Sequence, residues 1–376
     1  MLFNQQKGVC RVLFLVPYPI GWAPSQRFRV ELFLPVLDQA GIEYRVQPFL
    51  DERSWRSFYS SGRVLHKFLG IVKGFSARFW ALFGGVHSYD YVFIHREASP
   101  LGPPWIEWVL AKLWRRKIIY DFDDAIWIPN TSPANRWFGW AKANWKVKWI
   151  CRWAHVVVGG NEYLCEYARQ FNSSVRCIPT VVDTHAGHST AKHHHCGKPV
   201  VGWTGSHSTL KYLDTILPVL QKLQQELEFE FCVIADRDPE LPLHDYRFIP
   251  WQAESENQDL LILDIGLMPL ISDPWSEGKC GFKLIQYFAA GLPAVASPVG
   301  VNTSLIEQGQ NGYSCSTPEE WEQGLRRLIT DSNLRSVMGK KGREKVEAHY
   351  SVIAQKAVFL QLFHSSREYE AVSMKG

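Results

Sequence analysis

A chain of 376 residues exceeds what one ordinary hydrophobic core holds and fits two domains of usual size. With 46% hydrophobic and 21% charged residues it is globular, which excludes a disordered or fibrous chain. The net charge of +4 hides an asymmetry: +9 through residue 185 and −5 after it, with twelve of the sixteen tryptophans in the basic part. A basic, Trp-rich half suggests an anionic partner, either a lipid surface or nucleic acid.

The first apolar run, Val12 to Val16, is closed by Pro17. It is too short for the core of a signal peptide and reads as the end of a strand beginning at Arg11. The loop Pro17-Tyr18-Pro19-Ile20-Gly21 leads into a helix with Ser25, Arg27 and Arg29. Further strands are expected at Glu43 to Gln47, Tyr89 to His95, Lys117 to Tyr120 and Ala154 to Val158. Polar residues from Thr184 to Lys198 read as a linker, and a second set of strands follows. These are Pro199 to Trp203, Glu230 to Ala235, Arg247 to Ile249, Asp264 to Met268 and, after a turn, a short buried one within Gly291 to Ser297. Short apolar strands alternating with helical stretches indicate parallel sheets. The expected division is a first domain over 1–185, a linker over 186–198 and a second domain over 199–350. The last helix, within 351–376, is apolar enough to pack back on the first domain.

The eight cysteines are scattered, with no C-x-x-C pair, which favours a reducing compartment over a disulfide framework. No run of about 18 uncharged apolar residues occurs, so no membrane span is expected. His193-His194-His195 with Cys196 sits in the polar linker without further ligands, so no metal is expected there.

Ligands of open parallel sheets bind beyond the carboxyl ends of the strands, where strand order reverses. The strongest such loop runs from Trp275 to Gln286, where two glycines and two lysines open a helix. Gly281 permits close backbone approach, free N–H groups at a helix start attract phosphate, and Lys279 and Lys283 add charge for a diphosphate. On local chemistry alone, a solvated helix start with ordinary lysines is an equal reading.

The stretch Gly278 to Asn302, GKCGFKLIQYFAAGLPAVASPVGVN, resembles the nucleotide-sugar site of glycosyltransferase family 4, of GT-B fold. The resemblance is closest to a bacterial branch acting in polysaccharide and cell-envelope synthesis. His95 to Pro104 and Tyr120-Asp121-Phe122-Asp123-Asp124 resemble that branch's first domain, and Trp203-Thr204-Gly205-Ser206 the start of its second. The resemblance implies two Rossmann-like domains facing across a cleft, with the nucleotide on the second and the acceptor on the first. It also implies a retaining transfer with no metal and no cofactor beyond the donor substrate. The family's two glutamates, eight positions apart, fall here on Gly278 and Gln286, with Glu277 one place before the first. On that basis Gly21, Gly205, Ser206, Lys279, Cys280, Gly281, Phe282, Lys283 and Gln286 are expected at the donor, with Gln286 on the ribose hydroxyls. Glu277, Lys283, Asp121 and His95 are the catalytic candidates, and Arg27, Arg96, Asp123 and Asp124 the acceptor-binding ones.

Three readings of the Asp121-x-Asp123-Asp124 run stay open: a divalent metal site, hydroxyl binding, or loop capping. Phosphate machinery in the other domain favours hydroxyls. The segments Arg63 to Phe83 and Arg136 to Trp153 interleave aromatic residues with Arg63, Lys67, Lys73, Arg78, Lys142, Lys146, Lys148 and Arg152. Such helices lie at a lipid interface, or else the indoles are core and the cations merely outward. The first reading makes the acceptor a lipid-linked glycan and places the protein in the cytoplasm, at the inner membrane face in contact with anionic lipid. A catalytically silent partner protein of the same fold is one rival, given the glycine at 278, and a nucleic-acid-binding module is the rival for the basic half. The phosphate loop argues against it, so no nucleic-acid partner is expected.

Overall fold

The computed structural model describes residues 9–59, 62, 64–129, 142–192 and 197–363. Arg63, Arg136, Trp137, Trp140 and the His193–Cys196 run lie outside them. The chain divides into two compact units, one formed by Met1–Pro179 with Lys356–Gly376, the other by Thr180–Gln355.

The first unit holds β1 (Arg11–Val16), β2 (Glu43–Pro48), β3 (Tyr91–His95), β4 (Lys117–Phe122), β5 (Val156–Gly159) and β6 (Val175–Cys177). All pair in parallel, in the order β2-β1-β3-β4-β5-β6. β1 and β3 are continuous apolar runs because helices cover both faces of the sheet. The Val352–Leu360 helix and the turn after it add aromatic rings to this core. Phe359 stacks on Phe33 at 4.0 Å and meets Phe93 at 6.1 Å, while Phe363 lies 5.8 Å from Tyr91.

The second unit holds β7 (Val200–Gly205), β8 (Glu230–Ala235), β9 (Tyr246–Pro250), β10 (Ile265–Met268), β11 (Ala294–Ala296) and β12 (Gly312–Ser314). These too are parallel, in the order β12-β11-β10-β7-β8-β9. Trp203, Phe229, Phe231, Leu267 and Val295 are fully buried at its centre. The stretch from Thr180 to Lys192, expected to finish the first domain and begin a linker, is tied into this unit instead. The Val182 N–H donates to the Tyr350 carbonyl at 3.0 Å, and the Lys192 ammonium donates to the Leu261 carbonyl at 2.9 Å.

In each unit the strand order reverses once, between β1 and β3 in the first and between β7 and β10 in the second. Those are the two places where an open sheet leaves a crevice for a ligand. At the second, β7 and β10 pair only through Ile265↔Val201 and Gly266↔Gly202, and then part. The Tyr287 hydroxyl fills the gap, accepting from the Thr204 N–H at 3.0 Å and donating to the Leu267 carbonyl at 3.2 Å.

Candidate active site

At the β7/β10 crevice the structure brings together the loop after β7 and the start of the Phe282–Ala289 helix. Lys283, on the first turn of that helix, lays its ammonium 4.0 Å from the centre of the buried Trp203 ring. A Cβ at Gly205 would stand 2.7 Å from that ammonium and 2.4 Å from the indole, so only glycine fits there. Burial, and then the neighbouring Lys279 cation, push the Lys283 ammonium well below the ordinary lysine range. No carboxylate pairs with it among the described residues. A buried cation without an anion is costly unless an anion arrives.

Gly281 precedes the helix with φ of +66°, and a side chain there would strike Leu305 at 2.2 Å. Its two demands, left-handed backbone and no Cβ, set the helix start against the crevice. Lys279 is half-buried, its ammonium 6.0 Å from the Tyr212 ring, whose hydroxyl lies 3.2 Å from Ser276 Oγ. Glu277 ends the short Pro274–Glu277 helix and is half-buried; Cys280 is buried and Phe282 half-buried beside it. Ser206 is exposed, its hydroxyl 2.8 Å from that of Ser208.

Gln286 lies elsewhere than its sequence position suggests. It is 2% exposed and turned inward, its amide donating to Glu256 Oε1 at 3.1 Å. Glu256, buried and also accepting from the Trp251 indole at 3.3 Å, went unnoticed in the sequence. So did Asp236, which follows β8 directly. It fixes the loop after β7 by accepting from the His207 N–H at 2.6 Å and contacting the His207 ring. Its place just past a strand was the available signal.

The β1/β3 crevice of the first unit carries two linked ion clusters. His95, fully buried at the end of β3, has Nδ1 2.7 Å from Asp121 Oδ2 and Nε2 2.9 Å from Ser25 Oγ. Asp121 ends almost fully buried against the Arg29 guanidinium, which also donates to the Ile178 carbonyl. Burial pushes the Asp121 carboxyl up, but Arg29 and then His95 outweigh it and hold the group below its usual range. Arg96 pairs with both Asp123 and Asp124, and the Ser25 hydroxyl also bonds to Asp123. Burial again opposes, and Arg96 again prevails, leaving the Asp123 carboxyl well below the carboxylate range. Arg96 itself has φ of +60°, a strained conformation held by its N–H on the Asp121 carbonyl at 2.7 Å and by Tyr120 Oη on its own carbonyl at 2.8 Å.

These positions revise the expected roles. His95 and Asp121 are too buried to touch a substrate and stand behind Ser25, the half-exposed end of the chain of hydrogen bonds. Arg29, on the same helix as Ser25 and Arg27, is a buried ion-pair partner of Asp121. Arg27 is half-buried, its guanidinium 5.0 Å from the Phe28 ring. Gly21 has φ of +86° and already gives its N–H to Glu31 Oε2 at 2.9 Å, so it serves the turn and offers no backbone donor.

Two cations expected at a lipid surface are also internal. Arg78 is fully buried and donates at 2.8 Å to the carbonyls of Ala98, Gln47 and Val16. Lys146, 2% exposed, donates to the Ser99 carbonyl and pairs with Glu97, both at 2.8 Å. Lys142, Lys148 and Arg152 are exposed. The Val64–Gly84 helix shows solvent a row of large apolar side chains, among them Phe68 at 60% and Trp80 at 72% exposed. Pro103, Pro104 and five tryptophans (105, 108, 145, 149 and 153) line a nearly wholly apolar basin of about 330 Å³. No helix among the described residues is long and apolar enough to cross a membrane.

Residues 198–331 match the family model described as "Glycosyl transferases group 1". Over the whole chain, the fold is similar to that of a sucrose-phosphate synthase from Thermosynechococcus elongatus, with a TM-score of 0.69, 16% identity and 97% of this chain and 100% of that one covered. It is also similar to Anabaena HepE in complex with UDP and glucose, with a TM-score of 0.65, 15% identity and coverage of 94% and 98%. The chain has the GT-B glycosyltransferase fold. Among curated proteins it is 34% identical over 82 residues to spore coat protein SA of Bacillus subtilis. It is 28% identical over 120 residues to the N-acetyl-alpha-D-glucosaminyl L-malate synthase of Bacillus anthracis. The matched stretches span 22% and 30% of those two proteins' own lengths and 21% and 31% of this GT-B chain.

Proposed function

We propose that this GT-B protein is a glycosyltransferase that moves a sugar from a nucleotide-sugar to a hydroxyl, with retention of configuration. The observation that carries the reading is Lys283: a half-buried lysine whose ammonium lies against Trp203 and faces Gly205, at the crevice where β7 and β10 part. A departing nucleoside diphosphate needs fixed positive charge aimed at the charge it develops. Lys283, Lys279 and the N–H groups near Gly281 supply it, and Ser206 adds a hydroxyl. The match of residues 198–331 to a glycosyl transferase family supports the same assignment. The leaving diphosphate takes the acceptor proton on the face it vacates, so no dedicated base is required and Glu277 stays near the donor sugar. In the first unit, Ser25, Arg96, Asp123 and Asp124 meet the acceptor, with Arg27 at the rim.

The reaction uses no divalent metal. Asp121, Asp123 and Asp124 each already face an arginine, which makes them poor ligands for a second cation. Turnover of the accepted nucleotide-sugar should persist in excess chelator, and the product should keep the donor's anomeric configuration by NMR. Loss in chelator with recovery on Mg²⁺ or Mn²⁺ would return the three aspartates to a metal role, and inversion would remove the front-face mechanism.

The acceptor is lipid-linked, and the protein works at the inner, cytoplasmic face of a membrane. The exposed apolar row on the Val64–Gly84 helix, the Trp basin and the exposed Lys142, Lys148 and Arg152 suit an anionic lipid surface. Each basic residue near such a surface contributes about 1 kcal/mol. The protein should co-sediment with phosphatidylglycerol-containing vesicles at low salt and be released as salt screens the attraction. Phe68→Glu with Trp80→Glu should abolish sedimentation, and Lys142→Glu with Lys148→Glu should weaken it. Lys146 is left alone because its charge is structural. Wild-type protein that stays in the supernatant at low salt would leave the lipid-linked acceptor without support.

A further inference from the structure

Cys165 and Cys177 lie twelve positions apart, one on the Glu162–Arg169 helix and the other at the end of β6. Cys177 pairs in register with Gly159 of β5. A Cβ at Gly159 would stand 2.7 Å from Cys165 Sγ, so the missing side chain is the space in which that sulfur sits. The two sulfurs and a Glu162 carboxylate oxygen all lie within 4.8 Å of one another, and the Cys165 thiol donates to the Arg176 carbonyl at 3.5 Å, one residue before Cys177. Glu162 is already paired with Arg169, which leaves the two sulfurs as the reactive part of the cluster.

We propose that Cys177 and Cys165 form a reversible dithiol–disulfide pair that reacts with low-molecular-weight disulfides of the glutathione type. The two members are unequal. Cys177 is exposed and Cys165 is buried. The neighbouring Cys165 thiol draws the Cys177 thiol down; burial and the Glu162 carboxylate work against this, and the Arg29 and Arg169 cations reinforce it. The neighbouring Cys177 and then burial push the Cys165 thiol up. Cys177 is therefore the attacking thiolate and Cys165 the resolving thiol. The Cys177 thiolate attacks one sulfur of the small disulfide, breaking its S–S bond and releasing one thiolate, which takes up the proton Cys177 lost. Cys165 Sγ then attacks the Cys177 sulfur of the mixed disulfide, and its proton goes to the second departing thiolate. The protein loses two electrons and two protons, and one small disulfide becomes two thiols. Closing the S–S bond to about 2.05 Å brings together sulfurs that start within 4.8 Å of each other.

The full chain is incubated with oxidised glutathione under native conditions, quenched in acid and read by intact mass and peptide mapping. Wild type should lose two thiols without retaining glutathione, and one cross-linked peptide should join 165 to 177. Cys165→Ser should stop at a stable glutathione adduct on Cys177, and Cys177→Ser should give no product at Cys165. A glutathione adduct persisting on wild-type Cys177, or a pair that stays reduced while other cysteines react, would overturn the proposal. So would a stoichiometric thiophilic metal that must be chelated before either thiol reacts. None of these readouts depends on sugar transfer, so failure here is distinct from failure of the glycosyltransferase reading.

Discussion

Replacing Lys283 with methionine is expected to weaken nucleotide-sugar binding tenfold or more while leaving thermal stability unchanged or raised. The loss corresponds to about 1.5–3 kcal/mol, the size of a hydrogen bond to a charged group. The stability half follows from the direction of the lysine's shift. Its folded-state pKa is lowered, so the unfolded chain binds more protons than the folded one, and folding with this ammonium buried costs stability at neutral pH. Methionine keeps the shape of the stem and removes that cost. A bound diphosphate reverses the sign, because it favours the charged amine. Donor binding should therefore raise the lysine pKa, and affinity should fall as pH rises through the depressed value in the free protein. Calorimetry in buffers of different ionisation enthalpy reads both. Unchanged donor affinity in the variant, or binding with no pH dependence, would remove Lys283 from the site.

Replacing Asp121 with alanine is expected to destabilise the protein by about 3–5 kcal/mol, the usual consequence of removing one partner from a buried ion pair. Arg29 would lose the carboxylate that neutralises it, and His95 the partner that orients its ring. The Asp121 carboxyl is held below its unfolded value, so its contribution is full above the unfolded carboxylate pKa and disappears as pH falls through the folded one. Urea unfolding at neutral pH should show the large difference between wild type and variant, and the gap should narrow in acid. Asp121→Asn should fall between the two, since it keeps the shape and loses the charge. A difference under about 1 kcal/mol, ordinary for a surface substitution, would mean that the cluster is not structural.

Much of this architecture is written locally in the sequence, because buried parallel strands are runs of apolar residues. β1 and β8 fall on their expected residues, and most other strands differ only at their ends. β6 and β12 escaped notice. Each is a three-residue edge strand, Val-Arg-Cys and Gly-Tyr-Ser, with no apolar run to announce it. The site divides in the same way. Lys279, Gly281 and Lys283 are legible because a glycine and two lysines at a helix start have a chemical meaning by themselves. The roles of Arg29, Arg78 and Lys146 are not, because a basic residue on a helix looks outward in sequence. Each is internal only because carbonyls and carboxylates from distant elements converge on it. The Cys165–Cys177 pair depends on strand register and on an absent side chain at Gly159, which no spacing rule reveals.

Binding of a nucleotide-sugar at the β7/β10 crevice of the second unit, as proposed, is tested most directly by thermal denaturation of the wild-type protein and Lys283→Met against UDP-, GDP-, ADP- and CDP-sugars. Ligand that binds only the folded state raises the melting temperature by mass action, by about 2.7 kcal/mol of added stability at one hundred times its Kd. At least one of these donors should raise the wild-type melting temperature in a concentration-dependent way, and the same donor should leave the variant nearly unmoved. Absence of a shift with every donor, or equal shifts in the two proteins, would contradict it.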